Sequence, residues 1–378
     1  MPEAGLTVTP VASRGDHRAF CGFPYALYHN DPHWVPPLEF SERRRWSPKH
    51  NPALRRRWVE RYLARRGSRI VGRVASTIDP AFAERWAPRS GFVGFFECVD
   101  DEAGARGLLT RAESALRQRG VTRVFGPVNL TTHDEVGLLV EGFDAPPMLL
   151  SPYNPPYYET LLRHAGYAPW TDYESFGWDV DRPVSPAVER LLARVARRQG
   201  DAGGVRLRRS DPRRWNEEGR ELLETYNASF RDVWGFVPLD PEEYWERAGE
   251  FRRFYRPELA IFAEAHGRVV GFALALPDIN EALPAARGRL LPVGWLRLAR
   301  AVPRIRSARF ILLGVIPEYA GRGIGPLLAH AAAAAARELG MTHGELSLVQ
   351  ASNEPVRHII EAFGGRRVKT YRLFHKQI

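Results

Sequence analysis

The sequence predicts an α/β protein made of two tandem copies of one fold, each a mixed α+β sheet with helices on both faces. Three observations predict it. Apolar runs of period two alternate with apolar runs at helical spacing along most of the chain, as expected for strands and helices sharing a core. The order strand, helix closed by glycine, strand, Asn, helix, glycine, strand occurs twice. A β-type run at residues 310–316 also passes through Pro317 into a glycine turn and then a helix, and this stretch, FILLGVIPEYAGRGIGPLLAHAAAAAAREL, carries the clearest chemistry.

Residues 14–66 are polar, aromatic and arginine-rich, with prolines at 24, 32, 36, 37, 48 and 52, and within them 29–46 (HNDPHWVPPLEFSERRRW) reads as loop and short helix. Residues 69–78 (RIVGRVASTI) alternate as a strand, and 92–99 (FVGFFECV) form a more buried one. Between 102 and 119 the positions Leu108, Leu109, Ala112, Ala115 and Leu116 recur at helical spacing, and Gly120 closes that helix. A strand follows at 121–128. The pattern then breaks into a long connection, 129–156, containing His133, Asp134 and Glu135, and loops of that length inside compact domains are often functional. A helix at 157–165, Gly166 and a closing strand at 173–180 complete the first copy. Residues 182–204, ending in RRQGDAGG, are the expected linker between a domain at 1–181 and one at 205–378.

The second copy opens with a strand at 205–209 and a helix at 212–229. An aromatic loop, FRDVWGFVPL, leads to a helix near 241–254. Residues 259–265 and 268–276 read as a hairpin ending in Pro277-Asp278-Ile279-Asn280. After a basic segment come the strand, turn and helix of 310–339, a strand at 344–349, a helix at 355–363 and a strand at 370–376.

The repeat has a register. Asn154 precedes Gly166 by twelve residues and Asn353 precedes Gly365 by the same twelve. Gly120 to Asn154 spans 34 residues and Gly340 to Asn353 spans 13, so the first copy carries 21 more. Only the second keeps the turn Gly321-Arg322-Gly323-Ile324-Gly325. Free N–H groups converging there at the positive end of a helix dipole make a site for phosphate or pyrophosphate, with Arg322 adding charge and an ordinary strand-to-helix connection as the alternative. The first copy has Asp100-Asp101-Glu102 instead, whose carboxylates repel a pyrophosphate.

With those residues in view, the second half resembles the GNAT superfamily of acyl-CoA N-acyltransferases, well over 205–378 and weakly over 60–180. The family motif is a strand ending V-x-P followed by Q/R-x-x-G-x-G/A, matched here by Val315, Pro317, Gly323 and Gly325. The resemblance implies that coenzyme A binds at Val315, Gly321, Arg322, Gly323, Ile324 and Gly325, and that Asn353 touches the pantetheine arm. It implies acyl-CoA as co-substrate and no metal. Two residues depart from the pattern. Ala320 stands where the motif has Gln or Arg, and Ile360 where many members have a Tyr that protonates the leaving thiolate.

An amine must be neutral to attack a thioester, the oxyanion needs a backbone N–H, and the amine proton needs a route away. Residues 310–316 offer no carboxylate or His for that route. Asp278 beside Asn280 is the first candidate base, with capping of the turn as its alternative role. Glu345 on the next strand is the second. Tyr226 and Trp234 are candidates to line an acceptor pocket, and so are His133 and Glu135, although a core role suits the aromatics and a loop network suits the others.

The net charge of +10 is concentrated. Residues 287–309 hold seven arginines and no acid, which leaves +3 for the rest. At 100° per residue Trp295, Leu298, Ala299 and Val302 share one face with Arg297 and Arg300 opposite, either a basic amphipathic helix for an anionic membrane surface or a helix covering the fold. Nucleic acid is not an expected partner, because the basic stretch is hydrophobic and no recognition motif accompanies it. Two cysteines, the absence of a leader-like start and of a run of ~18 apolar residues point to the cytoplasm, with peripheral binding at the inner face of the membrane. The tandem arrangement, PDIN before the basic insertion and YNPPYY are similar to tandem GNAT-like bacterial proteins, bacterial ceramide synthases among them. This resemblance implies transfer of a long acyl chain to a sphingoid base. A soluble acetyltransferase of a small amine and a non-catalytic acyl-CoA sensor are the other two readings.

Overall fold

The structure is a computed structural model that describes residues 5–182, 184–198 and 204–378. They form two compact units. The first unit comprises Met1–Tyr173, Leu283–Leu298 and Lys369–Ile378, and the second Glu174–Ala282 and Ala299–Val368.

The first unit begins with β1 (Leu6–Pro10), α1 (Arg14–Leu27), α2 (Glu39–Arg45) and α3 (Ala53–Arg56). It continues through β2 (Trp58–Arg66), β3 (Arg69–Ile78), α4 (Pro80–Arg85), β4 (Ser90–Cys98) and α5 (Glu102–Arg117). Then come β5 (Arg123–Gly126), β6 (Leu138–Glu141), α6 (Tyr158–His164) and the start of β7 (Ala168–Asp179). Residues 29–46 form the expected loop and short helix, α2, while the flanking parts of 14–66 are regular. Ser13 and Asp16 form a capping box that starts α1, and β2 pairs in register with β3 from Trp58↔Ile78 to Arg66↔Arg69.

Strands β1 to β4 run antiparallel in order, β4 and β5 are parallel, and the end of β13 (Arg366–Gln377) closes the sheet against β5. The expected helix face is buried: Leu108, Leu109, Ala112, Ala115 and Leu116 of α5 pack on Val74, Val93 and Val124. Phe20, Trp46, Leu63 and Phe95 form a second cluster, with Phe20 and Trp46 edge to face at 5.3 Å.

The second unit contains α7 (Pro186–Arg198), β8 (Arg206–Arg209), α8 (Trp215–Phe230), α9 (Pro241–Phe251), β9 (Ala260–Ala265) and β10 (Arg268–Pro277). The chain then crosses α10 (Gly294–Ala301), whose first five residues belong to the other unit, and enters β11 (Ser307–Val315), α11 (Ile324–Glu338), β12 (His343–Gln350) and α12 (Glu354–Ala362). Strand order is β8-β9-β10-β11-β12-β7, with β11 and β12 parallel. On one face Leu328, Ala332, Ala335 and Ala336 of α11 pack on Ala273, Ala275, Ala308 and Phe310. On the other, Leu222, Tyr226 and Phe230 of α8 cover Phe262, Phe272 and Leu312.

Each unit therefore shows the same strand plan, but the closing strands are exchanged. The end of β7, expected to close the first copy, lies in the second unit beside β12, and the end of β13 lies in the first. The stretch expected as a linker holds helix α7, with Val188, Leu192 and Val195 turned inward, while residues 199–203 of it lie outside the described residues.

Candidate functional site

The site is built where β11 ends. After Pro317 the chain turns through Gly321 (φ 73°) and Gly323 (φ 81°) into α11. Both are in the left-handed region that favours glycine, and Gly323 is the N-cap with no side-chain bond to the helix start. Among the described residues no backbone acceptor meets the amides of Gly321, Gly323, Ile324 or Gly325, which leaves several donors at one turn. The Arg322 guanidinium lies 4.6 Å over the Tyr319 ring at the same turn. Helix α7 leans on it, and a Cβ on Gly323 would meet Val195 Cγ1 at 2.6 Å.

The corresponding turn of the first unit is filled from within. Asp101 caps α5 by accepting from the Gly104 N–H at 3.0 Å and is bound by Arg66 at 2.8 Å, which holds its carboxyl below the ordinary range. The Gly104 N–H that an anion would need is already taken by that carboxylate.

Strand β11 then leaves its neighbour. Its ladder with β12 ends at Phe310↔Leu346, whereas its ladder with β10 continues to Gly271↔Val315 across a bulge that leaves Ile311 unopposed. The β12-facing edge of β11 past Phe310 is therefore open. Leu313, Gly314 and Val315 on that edge line an apolar cavity of about 290 Å³. Trp178, Phe310 and Leu346 also line it, α11 contributes the small residues Gly325, Ala329 and Ala333, and α12 contributes Ile359, Ile360 and Phe363. The cavity runs from the glycine turn along α11 as far as Arg337. His330 also lines it, and burial together with the nearby Arg337 charge lowers its pKa, which keeps the imidazole neutral near pH 7.

On the opposite face of these strands lies a buried polar row. Arg309 is level with Leu276 on one side and Glu345 on the other, and its Nε donates to Ser347 Oγ at 3.1 Å. Ser347 Oγ in turn donates to Glu345 Oε1 at 3.2 Å. Because Leu346 faces the cavity, Glu345 projects to the other side of the sheet, one rung before the strands part. Asp278 is also buried, but it lies past the end of β10, opposite Ser307. There its carboxylate accepts the Asn280 N–H at 3.2 Å and caps the following turn.

The other expected site residues separate. Asn353 caps α12 by accepting the Val356 N–H at 3.4 Å. Tyr226 sits in an aromatic cluster with Phe230, Phe236 and Phe272, where burial pushes its phenol up. Half-buried Trp234 offers its carbonyl to Gln350 Nε2 at 2.9 Å. Glu135 belongs to a network within the first unit, bound by Arg45 at 3.3 Å and Asn129 at 3.2 Å. Burial opposes its ionisation, but the Arg45 charge and the hydrogen bonds from Asn129, the backbone and Arg45 together hold the carboxyl low. The His133 N–H donates to Thr131 Oγ1 in the same loop. Sequence reasoning missed Arg309, Ser347 and His330, since nothing but strand register and helix facing marks them.

Residues 219–364 match the acetyltransferase (GNAT) family. Over 383 residues the chain is 34% identical to "Bacterial ceramide synthase" of Caulobacter vibrioides (strain NA1000 / CB15N), covering 100% of this chain and 98% of that protein. The chain is a GNAT acyltransferase. This GNAT protein is also 31% identical over 378 residues to Protein YghO of Escherichia coli (strain K12), covering 98% of itself and 95% of the relative. Among solved structures, the tandem GNAT protein from the clavulanic acid biosynthesis pathway shares its fold at a TM-score of 0.55 and 14% identity, covering 99% of this chain and 98% of that one. The GCN5-related N-acetyltransferase from Sphaerobacter thermophilus does so at 0.55 and 14%, covering 98% and 95%. The GNAT protein is thus an acyl-CoA-dependent N-acyltransferase of two tandem GNAT-like domains, with acyl-CoA as co-substrate and an amine as acceptor.

Proposed function

We propose that this enzyme moves a long-chain acyl group from acyl-CoA to a primary amine carried by a lipid at a membrane surface, a sphingoid base being the candidate acceptor. The full-length similarity to a protein named bacterial ceramide synthase carries the proposal, because it spans both units and the basic segment 287–309. The apolar cavity, lined by alanines on one helix and by Ile359, Ile360 and Phe363 on the other, supports it.

In this reading the pyrophosphate takes the amides of Gly321, Gly323, Ile324 and Gly325, with Arg322 beside them, and Val315 and Asn353 flank the pantetheine arm. A backbone N–H on the open edge of β11 stabilises the oxyanion as the amine attacks the thioester carbonyl. Glu345, held by Ser347 and next to Arg309, takes the amine proton directly or through one water. The C–N bond forms, the C–S bond breaks, and the proton ends on the departing thiol. Ile360 contributes no proton there. Asp278 with Asn280 shapes the turn after β10 rather than reaching the carbonyl. Tyr226 and Trp234 support the α8 side of the acceptor space from behind.

The test is thiol release from palmitoyl-CoA with sphinganine, and from acetyl-CoA with small amines. Release from the first pair supports the proposal, whereas release only from the second assigns a small-molecule acetyltransferase instead. The protein's own thiols stay silent in a DTNB assay. Burial pushes Cys21 up to about 11 and Cys98 up to about 12, so neither forms thiolate at the pH of the assay. Native protein is expected to show no DTNB-reactive thiol in minutes and two after denaturation, a count that checks this directly.

Ala333→Phe fills the stretch of cavity toward Arg337. Turnover of palmitoyl-CoA is expected to fall by about tenfold or more, with acetyl-CoA affected less than about twofold, since the cavity wall cannot expand around a ring. Equal losses with both donors would assign that stretch to the pantetheine arm.

A further inference from the structure

Among the described residues seven large apolar side chains are exposed, and three of them, Leu291 (79%), Val293 (47%) and Trp295 (54%), lie within five residues. Isolated exposed apolar residues are ordinary, but a cluster marks a surface that something covers. Phe40, 48% exposed, follows Glu39, whose N–H donates to Gly288 O at 2.8 Å, so the start of α2 is tied to the same loop. All four residues belong to the first unit.

The loop is built rather than loose. Gly294 lies so close to Arg289 O that a Cβ there would approach it to 1.7 Å, and the Trp295 N–H donates to Leu290 O at 2.8 Å. The helical wheel puts Trp295 on one face with Leu298, Ala299 and Val302, a face either for a membrane or for covering the fold. Leu298 and Val302 are half-buried, but Trp295 turns outward, beside Leu291 and Val293 in the chain. Covering the fold therefore accounts for part of that helix and not for its tryptophan.

Charge identifies the occupant. Arg287, Arg289 and Arg297 are exposed on this loop and helix, and the segment 287–309 has no acid. Glu39 pairs with Arg289 at 2.5 Å and also meets Arg43 at 3.9 Å. A second copy would bring the same positive charge against this face, and a polynucleotide would leave Leu291 and Trp295 in water. An anionic bilayer satisfies both features, taking tryptophan and aliphatic side chains at its interface and arginines at its headgroups.

We propose that the surface formed by Phe40, Leu291, Val293 and Trp295, rimmed by Arg287 and Arg297, docks this enzyme on anionic phospholipid membranes. The purpose of the docking rests on the lipid-amine reading above, but the surface itself does not. Among the described residues no helix is long and apolar enough to cross a membrane, so the contact is peripheral if it is made by a helix.

The test is co-sedimentation of the full chain with vesicles of phosphatidylcholine containing phosphatidylglycerol and with vesicles of phosphatidylcholine alone. Binding is expected to the first, weakened by added salt. The Leu291→Ser/Trp295→Ser variant should bind about tenfold or more weakly, and Arg297→Gln about fivefold more weakly. Both variants should keep the wild-type melting temperature and thiol release with detergent-solubilised sphinganine. Absence of vesicle binding by the wild type, or equal binding by the variants, overturns the docking surface. A dimer mass in light scattering that is lost in Leu291→Ser/Trp295→Ser would overturn it in favour of self-association. If vesicles bind as expected but no lipid amine is acylated, the docking surface stands and the acceptor assignment fails.

Discussion

With Glu345 replaced by Gln, kcat is expected to fall by about 10²–10³ while the Kd for palmitoyl-CoA changes by less than about twofold. The substitution keeps the shape of the side chain and an oxygen able to accept from Ser347 Oγ, now at 3.2 Å, but removes the ability to take a proton. The expected size follows from position. Glu345 is level with Arg309, one rung before the ladder of β11 and β12 ends, and on the face away from the cavity. An amine approaching from the α8 side reaches the open strand edge and this carboxylate together. Asp278→Asn is the comparison. Asp278 lies opposite Ser307, about four strand residues from the bulge at Ile311, or roughly 13 Å at the usual rise. This substitution should alter kcat by less than about threefold and leave stability within about 0.5 kcal/mol, since Asn keeps an oxygen that accepts the Asn280 N–H. Single-turnover rates with palmitoyl-CoA and sphinganine separate the two carboxylates. A large loss with Asp278→Asn and none with Glu345→Gln would reverse their roles.

The ordering of those two carboxylates shows what a sequence can and cannot carry. Both stand near strand ends, and Asp278 in PDIN reads as more prominent because Pro277 and Asn280 mark the turn. Only strand register separates a residue beside an opening from one at a closed end, and register is a property of pairing between strands distant in the chain. The same limit hides the cavity. Its lining comes from β7, α7, β11, α11, β12 and α12, and no local run contains more than part of it.

Local features were legible. The turn at 321–325 and helix α11 are encoded by consecutive residues, as is the contrast with Asp101, whose carboxylate was expected to repel an anion and in fact occupies the helix start. Helix α7 was read as linker because its inward residues Val188, Leu192 and Val195 are interleaved with four arginines, so composition outweighed spacing. Strand β2, WVERYLARR, was missed for a related reason. Its charged residues find partners at the starts of helices α1 and α5, such as Arg65 with Asp16 at 2.7 Å and Arg66 with Asp101 at 2.8 Å, and those partners lie elsewhere in the sequence. The exchanged closing strands leave no sequence trace, since each strand fits either sheet by its own alternation.

Gly323→Val is expected to weaken acyl-CoA binding by about 10² or more, the second large effect. Two physical causes act together. The residue holds φ 81°, where a β-branched side chain is strained by about 1–3 kcal/mol, and relaxing that strain displaces the amides of residues 323–325. A Cβ there also meets Val195 Cγ1 at 2.6 Å, so α7 must shift. Gly321→Ala separates these causes, because Gly321 has a similar φ of 73° and nothing within 4 Å of the added carbon. It should weaken binding by about tenfold from backbone strain alone. The double change Gly323→Ala with Val195→Gly removes the collision and keeps the strained backbone, so it should recover the melting temperature of the wild type more fully than its affinity. Titration calorimetry with coenzyme A and thermal melts of the same samples read both quantities. Wild-type affinity in a folded Gly323→Val protein would remove the turn from the donor site, and with it the placement of the thioester beside Glu345.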